Sequence, residues 1–378
     1  MKKYRKFYQR RFLKLKHFQK QFKKEKNEFI FTHTHSQPYL KNRIALSPMQ
    51  QYSAKNGVPG NWHLVHLGSR AVGGAGLILT ECTAVSQEGL ATLSDVGIWN
   101  DEQENAWKNI VNFIHEQDAK IGVQLWHAGG KGSLKHPNDR MKPLTPEEGG
   151  WTVKSSSAHE FNGVFAEELT IDEIQELKTK FIKAALRAIE AGFDTIELHA
   201  GHGYLFHQFY SAVINKRQDE YGGSFENRIR FLVETVQEIR KVIPAEMPLF
   251  VRISAVDYIE SDEAWTLEDS IRLSEILKEN GVDFITASGG GFTNVSKDKV
   301  FPGYQVPFAK AIKEQTGILA GAVGMITEAE QANDIIVNGD ADLVIIAREH
   351  LRDPYFAIHS AKALGTETEI PWQYKRAY

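Results

Sequence analysis

Two histidines and a tyrosine lie close together in the segment His199-Ala200-Gly201-His202-Gly203-Tyr204. Two imidazoles at this spacing can donate hydrogen bonds to one carbonyl or phenolate oxygen and so polarise it. The tyrosine hydroxyl can supply a proton as a general acid. A zinc site needs further ligands, and we predict no metal here. The alternative for the two histidines is a hydrogen-bonded pair in the core that binds nothing.

Two further polar side chains fall inside apolar runs. Arg252 closes the run Phe250-Val251-Arg252-Ile253, and Gln124 lies within Ile121–Trp126. A buried cation must be paired or must face an anionic ligand, and an aromatic cofactor that becomes anionic on reduction would supply that charge. A carboxamide carries both donors and acceptors, which suits an amide–imide edge. For each residue alone, a satisfied hydrogen bond in the interior is the commoner explanation.

Glycine-rich turns follow two of the later apolar runs, at Ser288–Gly291 and at Gly321–Gly324, and Ala347-Arg348 follows the last run. Glycines let the backbone approach a ligand closely, and consecutive N–H groups form a nest for an anion. Together with the arginine, these turns predict a phosphate-binding cup. The alternative is a pair of tight turns with a surface arginine. No Gly-x-Gly-x-x-Gly follows the first run, which excludes a Rossmann dinucleotide domain.

From about residue 40, short apolar runs alternate with helical stretches. The eight runs are Ile44–Ser47, Gly76–Thr83, Ile121–Trp126, Thr195–His199, Leu249–Ser254, Val282–Ser288, Ile318–Ala322 and Leu343–Ala347. The helical candidates are Trp62–Val72, Gln103–Gln117, Ile171–Ala191, Phe225–Val242, Leu267–Asn280, Val306–Gln315 and Glu328–Asn338. This alternation predicts an α/β fold, a single-domain (β/α)8 TIM barrel rather than an open doubly wound sheet.

The predicted barrel explains where the polar residues fall. Active sites of such barrels lie at the carboxyl ends of the strands, where the histidines, Arg252 and the glycine turns all occur. The segment Lys131–Glu168 after the third strand is predicted to be a long loop, and loops of this length are usually functional.

The composition limits the class of protein. The chain has 378 residues, 42% hydrophobic and 25% charged, which is typical of a globular protein. Its one cysteine, Cys82, excludes intramolecular disulfides, an all-cysteine zinc site and an iron–sulfur cluster. No run of about 18 apolar residues occurs, so we predict no membrane span and a cytoplasmic location.

Residues 1–30 form a basic extension, which we separate from a barrel domain at residues 31–378. Residues 1–29 hold twelve lysines and arginines against two glutamates, whereas the rest of the chain is acidic and is not expected to bind nucleic acid. Apolar residues at helical spacing, from Tyr8 to Phe22, fit an amphipathic helix on an anionic membrane or a partner. We favour the alternatives of a partly disordered, solvated arm or a start codon placed too far upstream.

Five ordered motifs now point to a family. They are Asn42–Met49, His199–Tyr204, Asp219–Arg228, Val300–Gln305 and Gln373–Arg376. From about Lys41 to Tyr378 the chain resembles the old yellow enzyme family of FMN-dependent ene-reductases, most closely its bacterial, thermophilic-like NADPH dehydrogenase branch. The resemblance implies FMN as cofactor, NADPH or NADH as reductant and an enone-type substrate.

The resemblance also implies roles for individual residues. Those implied at the flavin are Ser47, Pro48, Met49, Gln50, Cys82, Gln124, Arg252, Gly324, Ala347 and Arg348. Among them, Gln124 would bond the pyrimidine edge, Arg252 would stabilise charge at the N1–C2 carbonyl locus, and the last three would hold the phosphate. At the substrate, His199 and His202 would bind the carbonyl oxygen.

Three further roles follow from the same resemblance. Tyr204 would donate the proton, and Tyr52 would line the pocket. Arg376 would reach into a neighbouring subunit's site, which implies a homodimer or homotetramer.

The chain departs from the family pattern at four positions. Gln50 stands where the branch usually has a cysteine, and Cys82 stands where a small residue is usual. Ala347 replaces a glycine, and Gly130 stands where arginine is frequent. A thiol at position 50 is therefore not present to tune the flavin potential, and the phosphate site is expected to be tighter.

The functional prediction is a ping-pong ene-reductase that reduces the C=C bond of α,β-unsaturated carbonyl compounds. An NAD(P)H-dependent quinone, nitro-compound or flavin reductase would use the same reductive half-reaction with another oxidant. An alternative of a different class is a non-catalytic protein that docks on a membrane or a partner through the basic extension.

Overall fold

The computed structural model describes residues 40–378, so the predictions for the basic extension lie outside the described residues. Eight parallel strands form a closed barrel in which each strand pairs with its neighbours in the chain. The strands are β1 (Ile44–Leu46), β2 (Leu77–Ala84), β3 (Lys120–Trp126), β4 (Thr195–Ala200), β5 (Leu249–Ser254), β6 (Phe284–Ser288), β7 (Leu319–Ala322) and β8 (Leu343–Ile346). The barrel closes where β1 pairs with both β2 and β8. The predicted TIM barrel is confirmed. The predicted bounds of every strand lie within two residues of the observed bounds.

Helices connect the strands. They are α1 (Asn61–Val72), α2 (Asp101–His115), α3 (Ile171–Ala191), α4 (Leu205–Tyr210), α5 (Phe225–Val242), α6 (Leu267–Glu279), α7 (Val306–Thr316), α8 (Ala329–Val337), α9 (Arg348–Arg352) and α10 (Phe356–Ala363). The seven predicted helices are all present. The sequence analysis missed α4, α9 and α10, which are too short to show a helical period.

The ends of α3 show why the sequence defines such helices well. Thr170 and Glu173 form a capping box, in which each side chain accepts from the other residue's backbone N–H. Gly192 ends the helix with φ +89°, a left-handed conformation that favours glycine. The predicted and observed bounds of this helix are therefore identical.

The barrel interior is apolar at one end and polar at the other. Phe250 on β5 and Phe284 on β6 pack with ring centroids 4.6 Å apart, in a layer with residues of β1, β2 and β8. Side chains two positions further along a strand point the same way. Arg252 and Thr286 therefore face the same interior nearer the carboxyl ends, and the polar end is the one that carries the site.

The segment Lys131–Glu168 corrects one prediction, because it contains a small sheet rather than only loop. The sheet has three strands, Lys154–Ser155, His159–Phe161 and Val164–Glu168, with the last in the middle. Asn162 and Gly163 connect two of them with φ values of +52° and +81°. An Asn-Gly pair between apolar residues is a strong hairpin signal, so the sequence does contain a local signal for this turn.

Among residues 40–378, no helix is long and apolar enough to cross a membrane.

A buried histidine outside the barrel mouth makes the fold sensitive to acid. Burial, together with Arg70, His63 and His350, lowers the pKa of His66 on α1 to about 3. Because its unfolded pKa is about 6.5, a neutral His66 stabilises the fold above that pH, and the contribution is lost as the pH falls toward 3.

We expect His66→Gln to make the unfolding free energy less dependent on pH, by up to about 1.4 kcal/mol per pH unit between about pH 4 and about pH 6. Urea unfolding at a series of pH values measures this slope. The exposed His159 provides the matched control, His159→Gln. An unchanged slope in the His66 variant would contradict the prediction.

Candidate active site

His199 and His202 lie at the carboxyl end of β4 with their rings perpendicular and their centroids 5.0 Å apart. The Gly201 N–H donates to Nδ1 of His199 at 3.2 Å, so His199 carries its proton on Nε2, where it can donate to a ligand. Nε2 of His202 lies 2.8 Å from Oγ of Ser288. Burial, followed by repulsion from neighbouring cations, lowers the pKa of both imidazoles well below the usual value. Both imidazoles are therefore neutral at neutral pH, and each carries one N–H.

The turn that carries His202 is held by Lys131. His202 has φ +54°, an uncommon left-handed conformation for a residue with a Cβ. Nζ of Lys131 donates to the carbonyl oxygens of His202 at 2.9 Å and Gly291 at 2.6 Å. A Cβ at Gly291 would lie 2.0 Å from the carbonyl carbon of His202, so only glycine fits this contact. Gly291, in the turn after β6, therefore packs against the histidine turn.

Tyr204 completes this group. Its ring centroid lies 5.1 Å from that of His199 and 5.1 Å from that of Trp126, and Nζ of Lys131 lies 5.1 Å from the same centroid. Burial raises its pKa well above the usual range, so the hydroxyl keeps its proton. Tyr52, which we also placed at the pocket, has φ +50°, and burial raises its pKa to about 12.

A third histidine of this region, His207, has its own partners. Its Nε2 lies 2.7 Å from Asp257, and its Nδ1 accepts from the Gly203 N–H at 2.8 Å. Burial lowers the pKa of His207, and the hydrogen bond that it donates to Asp257 opposes that shift. Within residues 40–378, no group of three or more His, Cys, Asp or Glu is placed to hold a metal ion.

Below the histidines, four polar side chains form a chain of hydrogen bonds inside the barrel. Sγ of Cys82 donates to Gln124, whose Nε2 donates to Glu197, and Thr286 donates to the other oxygen of Glu197. The sequence analysis missed Glu197. It stands two residues before His199 and so faces the same side of β4, a signal that strand periodicity could have given.

A cavity of about 280 Å³ opens at the ends of β7 and β8. Ser47, Arg252, Gly324, Ala347 and Arg348 all line it, so the structure brings these predicted residues together. Gly324 has φ +109°, and a Cβ there would lie 3.1 Å from the backbone nitrogen of a neighbouring residue. Gly324 also lines the cavity, and because it has no side chain it leaves its backbone open to a ligand there.

Two buried side chains have unused hydrogen-bonding groups, Arg252 at the cavity and Gln50, three residues after Ser47 in the chain. Nη1 of Arg252 donates to Ser47 at 3.2 Å, but its Nε is buried and has no partner within residues 40–378. Both polar atoms of the Gln50 carboxamide are likewise buried without a partner in this range. Glu197 supplies part of the compensating charge for Arg252, and the free Nε–H can donate to a polar or anionic ligand. The open backbone at Gly324, the Arg252 guanidinium and the free Gln50 carboxamide fit a flavin with a phosphate tail.

Two of the predicted arginines are exposed. Arg376 is exposed near the C-terminus, and within the described chain no hydrogen bond or ion pair joins it to the histidine pair. Arg348 is exposed at the first position of α9, at the outer side of the cavity. The roles of Lys131, Ser288 and Trp126 could not be predicted from the sequence, because they arise from tertiary contacts.

Comparison with known proteins supports the assignment of a flavin site. Residues 35–367 match the model of the NADH:flavin oxidoreductase / NADH oxidase family. The chain is 46% identical over 342 residues to the NADPH dehydrogenase of Bacillus cytotoxicus, covering 89% of this chain and 93% of that protein. It is 45% identical over 341 residues to the NADPH dehydrogenase of Bacillus subtilis, covering 90% and 96%.

Solved structures show the same architecture. Morphinone reductase in complex with tetrahydroNAD is 25% identical with a TM-score of 0.72, over 91% of this chain and 93% of that one. The old yellow enzyme homologue of Zymomonas mobilis is 26% identical with a TM-score of 0.70, over 89% and 92%. These matches confirm the resemblance to the old yellow enzymes. The chain therefore belongs to the NADH:flavin oxidoreductase / NADH oxidase family, and it is an NAD(P)H-dependent FMN oxidoreductase.

Proposed function

We propose that this enzyme is an ene-reductase that reduces the activated C=C bond of α,β-unsaturated carbonyl compounds with electrons from NADPH or NADH. The observation that carries the proposal is the convergence of two neutral imidazoles and a protonated phenol beside a cavity that suits FMN. Family membership leaves the alternative of a non-catalytic docking protein without support.

The residues that would hold FMN divide by the part of the cofactor they meet. Gly324, Ala347 and Arg348 would bind the phosphate through backbone N–H groups and the guanidinium. Ser47, Pro48, Met49 and Gln50 would line the ring system with Cys82, and Gln124 would bond the pyrimidine edge. Arg252 would stabilise the charge of the reduced ring. When bound, FMN would supply the two-electron chemistry of a ping-pong sequence, with the nicotinamide as hydride donor and the substrate as hydride acceptor.

Side chains of the protein would bind the substrate and supply a proton. His199 and His202 would donate hydrogen bonds to the carbonyl oxygen, which makes the β-carbon electrophilic. Tyr204 would donate its proton to the α-carbon, because its hydroxyl stays protonated in the buried site. Lys131 would keep the His202 turn in place through its two carbonyl contacts.

An anaerobic visible spectrum of the purified enzyme tests this function. We expect a flavin spectrum that bleaches on addition of NADPH and returns on addition of cyclohexenone. Bleaching without return would reject the ene-reductase and favour a quinone, nitro-compound or flavin reductase. A colourless protein that cannot be reconstituted with FMN would reject the proposed site.

The histidine pair has its own test. We expect the variant with both His199→Ala and His202→Ala to bind p-hydroxybenzaldehyde about a hundredfold more weakly, because its phenolate resembles an enolate and loses two hydrogen bonds. Titration of the change in the flavin absorbance measures the dissociation constant. His159→Ala, at the surface, is the control. Unchanged phenol affinity would show that the pair is structural.

Assembly and location remain part of the proposal. Arg376 would complete the site of a neighbouring subunit, so we propose a homodimer or homotetramer. Its exposed position near the C-terminus is consistent with a contact outside the chain's own barrel. We also propose a cytoplasmic location, where reduced nicotinamide is supplied.

A further inference from the structure

A chain of four polar side chains crosses the barrel interior below the histidine pair. The Cys82 thiol lies 3.1 Å from Oε1 of Gln124, and Nε2 of Gln124 lies 2.7 Å from Oε1 of Glu197. Oγ1 of Thr286 donates to Oε2 of Glu197 at 2.6 Å. Gln124, Glu197 and Thr286 are 0% exposed, so water does not compete for these bonds. The four residues come from four strands, β2, β3, β4 and β6.

Glu197 fixes the direction of the hydrogen bonds in this series. A carboxamide has nearly the same shape in both orientations, so only its hydrogen-bond partners decide which end carries the oxygen. An ionised carboxylate only accepts hydrogen bonds, and it therefore selects the NH₂ group of Gln124. The oxygen of Gln124 is then turned toward Cys82, whose thiol can donate. The Gln124 backbone N–H is also anchored, to Oγ1 of Thr80 at 3.1 Å.

The hydrogen-bonding capacity left on Gln124 matches a flavin edge. A carboxamide has two N–H donors and two oxygen lone pairs, and the internal chain uses one of each. One N–H and one lone pair remain for a ligand. An imide edge presents a carbonyl oxygen beside an N–H, which is the complementary pattern. Reversing the carboxamide would place like groups opposite each other.

We propose that Glu197 is a positioning residue for the cofactor, which fixes the Gln124 carboxamide in the one orientation that pairs with the pyrimidine edge. Cys82 holds the oxygen end of the same carboxamide. This inference rests on the proposed function, because it requires Gln124 to face the flavin.

The charge of Glu197 has a second consequence. Burial raises its pKa, and the attraction of Arg252 opposes that shift and favours the carboxylate. A buried negative charge near the flavin disfavours the anionic reduced form of the cofactor. Glu197 therefore holds the midpoint potential lower than Arg252 alone would set it.

Glu197→Gln separates these effects from simple packing. A glutamine at this position can donate as well as accept, so both orientations of Gln124 become available. We expect the FMN dissociation constant, measured by FMN fluorescence on dilution of the holoenzyme, to rise about tenfold, the loss expected for one charge-assisted hydrogen bond. We expect the midpoint potential to become more positive, because a negative charge is lost.

Asp342→Asn is the matched control. Asp342 is another buried carboxylate, but it binds the Ala320 N–H and Lys313 at the opposite end of the barrel. We expect this variant to keep the parent's FMN affinity and potential. If Glu197→Gln also keeps both, Glu197 is a structural residue and the proposal is wrong.

Further variants keep the proposal testable if Glu197→Gln does not fold. Thr286→Val removes the second donor to Glu197 and should weaken FMN binding about threefold, the effect of one neutral hydrogen bond. Unchanged binding would overturn the proposal. Cys82→Ala should weaken binding by a similar factor, and Cys82→Ser should restore it, because the hydroxyl can donate. Equal FMN affinity in both cysteine variants would show that Cys82 does not hold the carboxamide.

Gln124→Ala distinguishes failure of this inference from failure of the proposed site. If Gln124→Ala weakens FMN binding and Glu197→Gln does not, Gln124 faces the flavin but is not positioned by Glu197. If neither variant changes FMN binding, Gln124 does not face the flavin, and the proposed arrangement of the cofactor fails as well.

Discussion

Tyr204→Phe is expected to slow reoxidation of the reduced enzyme by cyclohexenone about a hundredfold, while reduction by NADPH keeps its rate. General acid catalysis by a positioned side chain is typically worth two to four orders of magnitude, and the substitution removes only the hydroxyl. Burial raises the pKa of Tyr204 well above its usual range, so the proton is present at neutral pH. Anaerobic stopped-flow measurements of the two half-reactions report each rate separately.

The control for this prediction is Tyr258→Phe. Tyr258 is half-buried with a pKa raised to about 12, but it packs against Gly289 and Phe308 and is not among the groups around His199. We expect both half-reactions of this variant to match the parent. Equal slowing of both half-reactions in Tyr204→Phe would instead indicate a disturbed site, and the proton-donor role would be rejected.

Arg252→Met is expected to raise the FMN dissociation constant about a hundredfold and to make the midpoint potential more negative. Methionine keeps much of the apolar stem but removes a buried cation whose Nε has no partner within residues 40–378. Loss of charge-assisted hydrogen bonds to a ligand costs about 3 kcal/mol, which corresponds to about two orders of magnitude in affinity. The potential falls because the reduced, anionic form loses its compensating charge.

Two further variants serve as comparisons for the Arg252 prediction. Arg252→Lys keeps the charge and should recover most of the potential but only part of the affinity, because an ammonium lacks the planar fork of donors. Arg240→Met removes an arginine that binds Asp283 and the Met247 carbonyl oxygen outside the site, and should change neither quantity. If Arg252→Met retains the parent's potential, the arginine does not face the flavin.

We expect the midpoint potential to shift in opposite directions in the variants of Arg252 and Glu197. Removing the cation should lower the midpoint potential, and removing the carboxylate should raise it. Both side chains lie inside the barrel, and each affects the pKa of the other. A potential that moves in the same direction in both variants would show that general disruption, rather than charge, controls it.

Local sequence patterns were enough to predict the barrel and most of the residues at its mouth. Strand and helix bounds were predictable because local patterns set them, as the capping box at Thr170 and the glycine at position 192 show for α3. His199, His202, Tyr204 and Arg252 could be placed at one end of the barrel because the carboxyl ends of parallel strands converge there. Motifs then identified the family, which the comparisons confirm.

The support of these residues depends on contacts between distant parts of the chain. Lys131 reaches the carbonyl oxygens of His202 and Gly291, which are 71 and 160 residues away in the chain. The role of Glu197 depends on its hydrogen bonds with Gln124 on the neighbouring strand and with Thr286 two strands further along the chain. Such contacts depend on the closure of the barrel and the register between strands, which no local pattern records. The sequence therefore determined which groups can do chemistry, and the closed barrel decided which partners hold them in position.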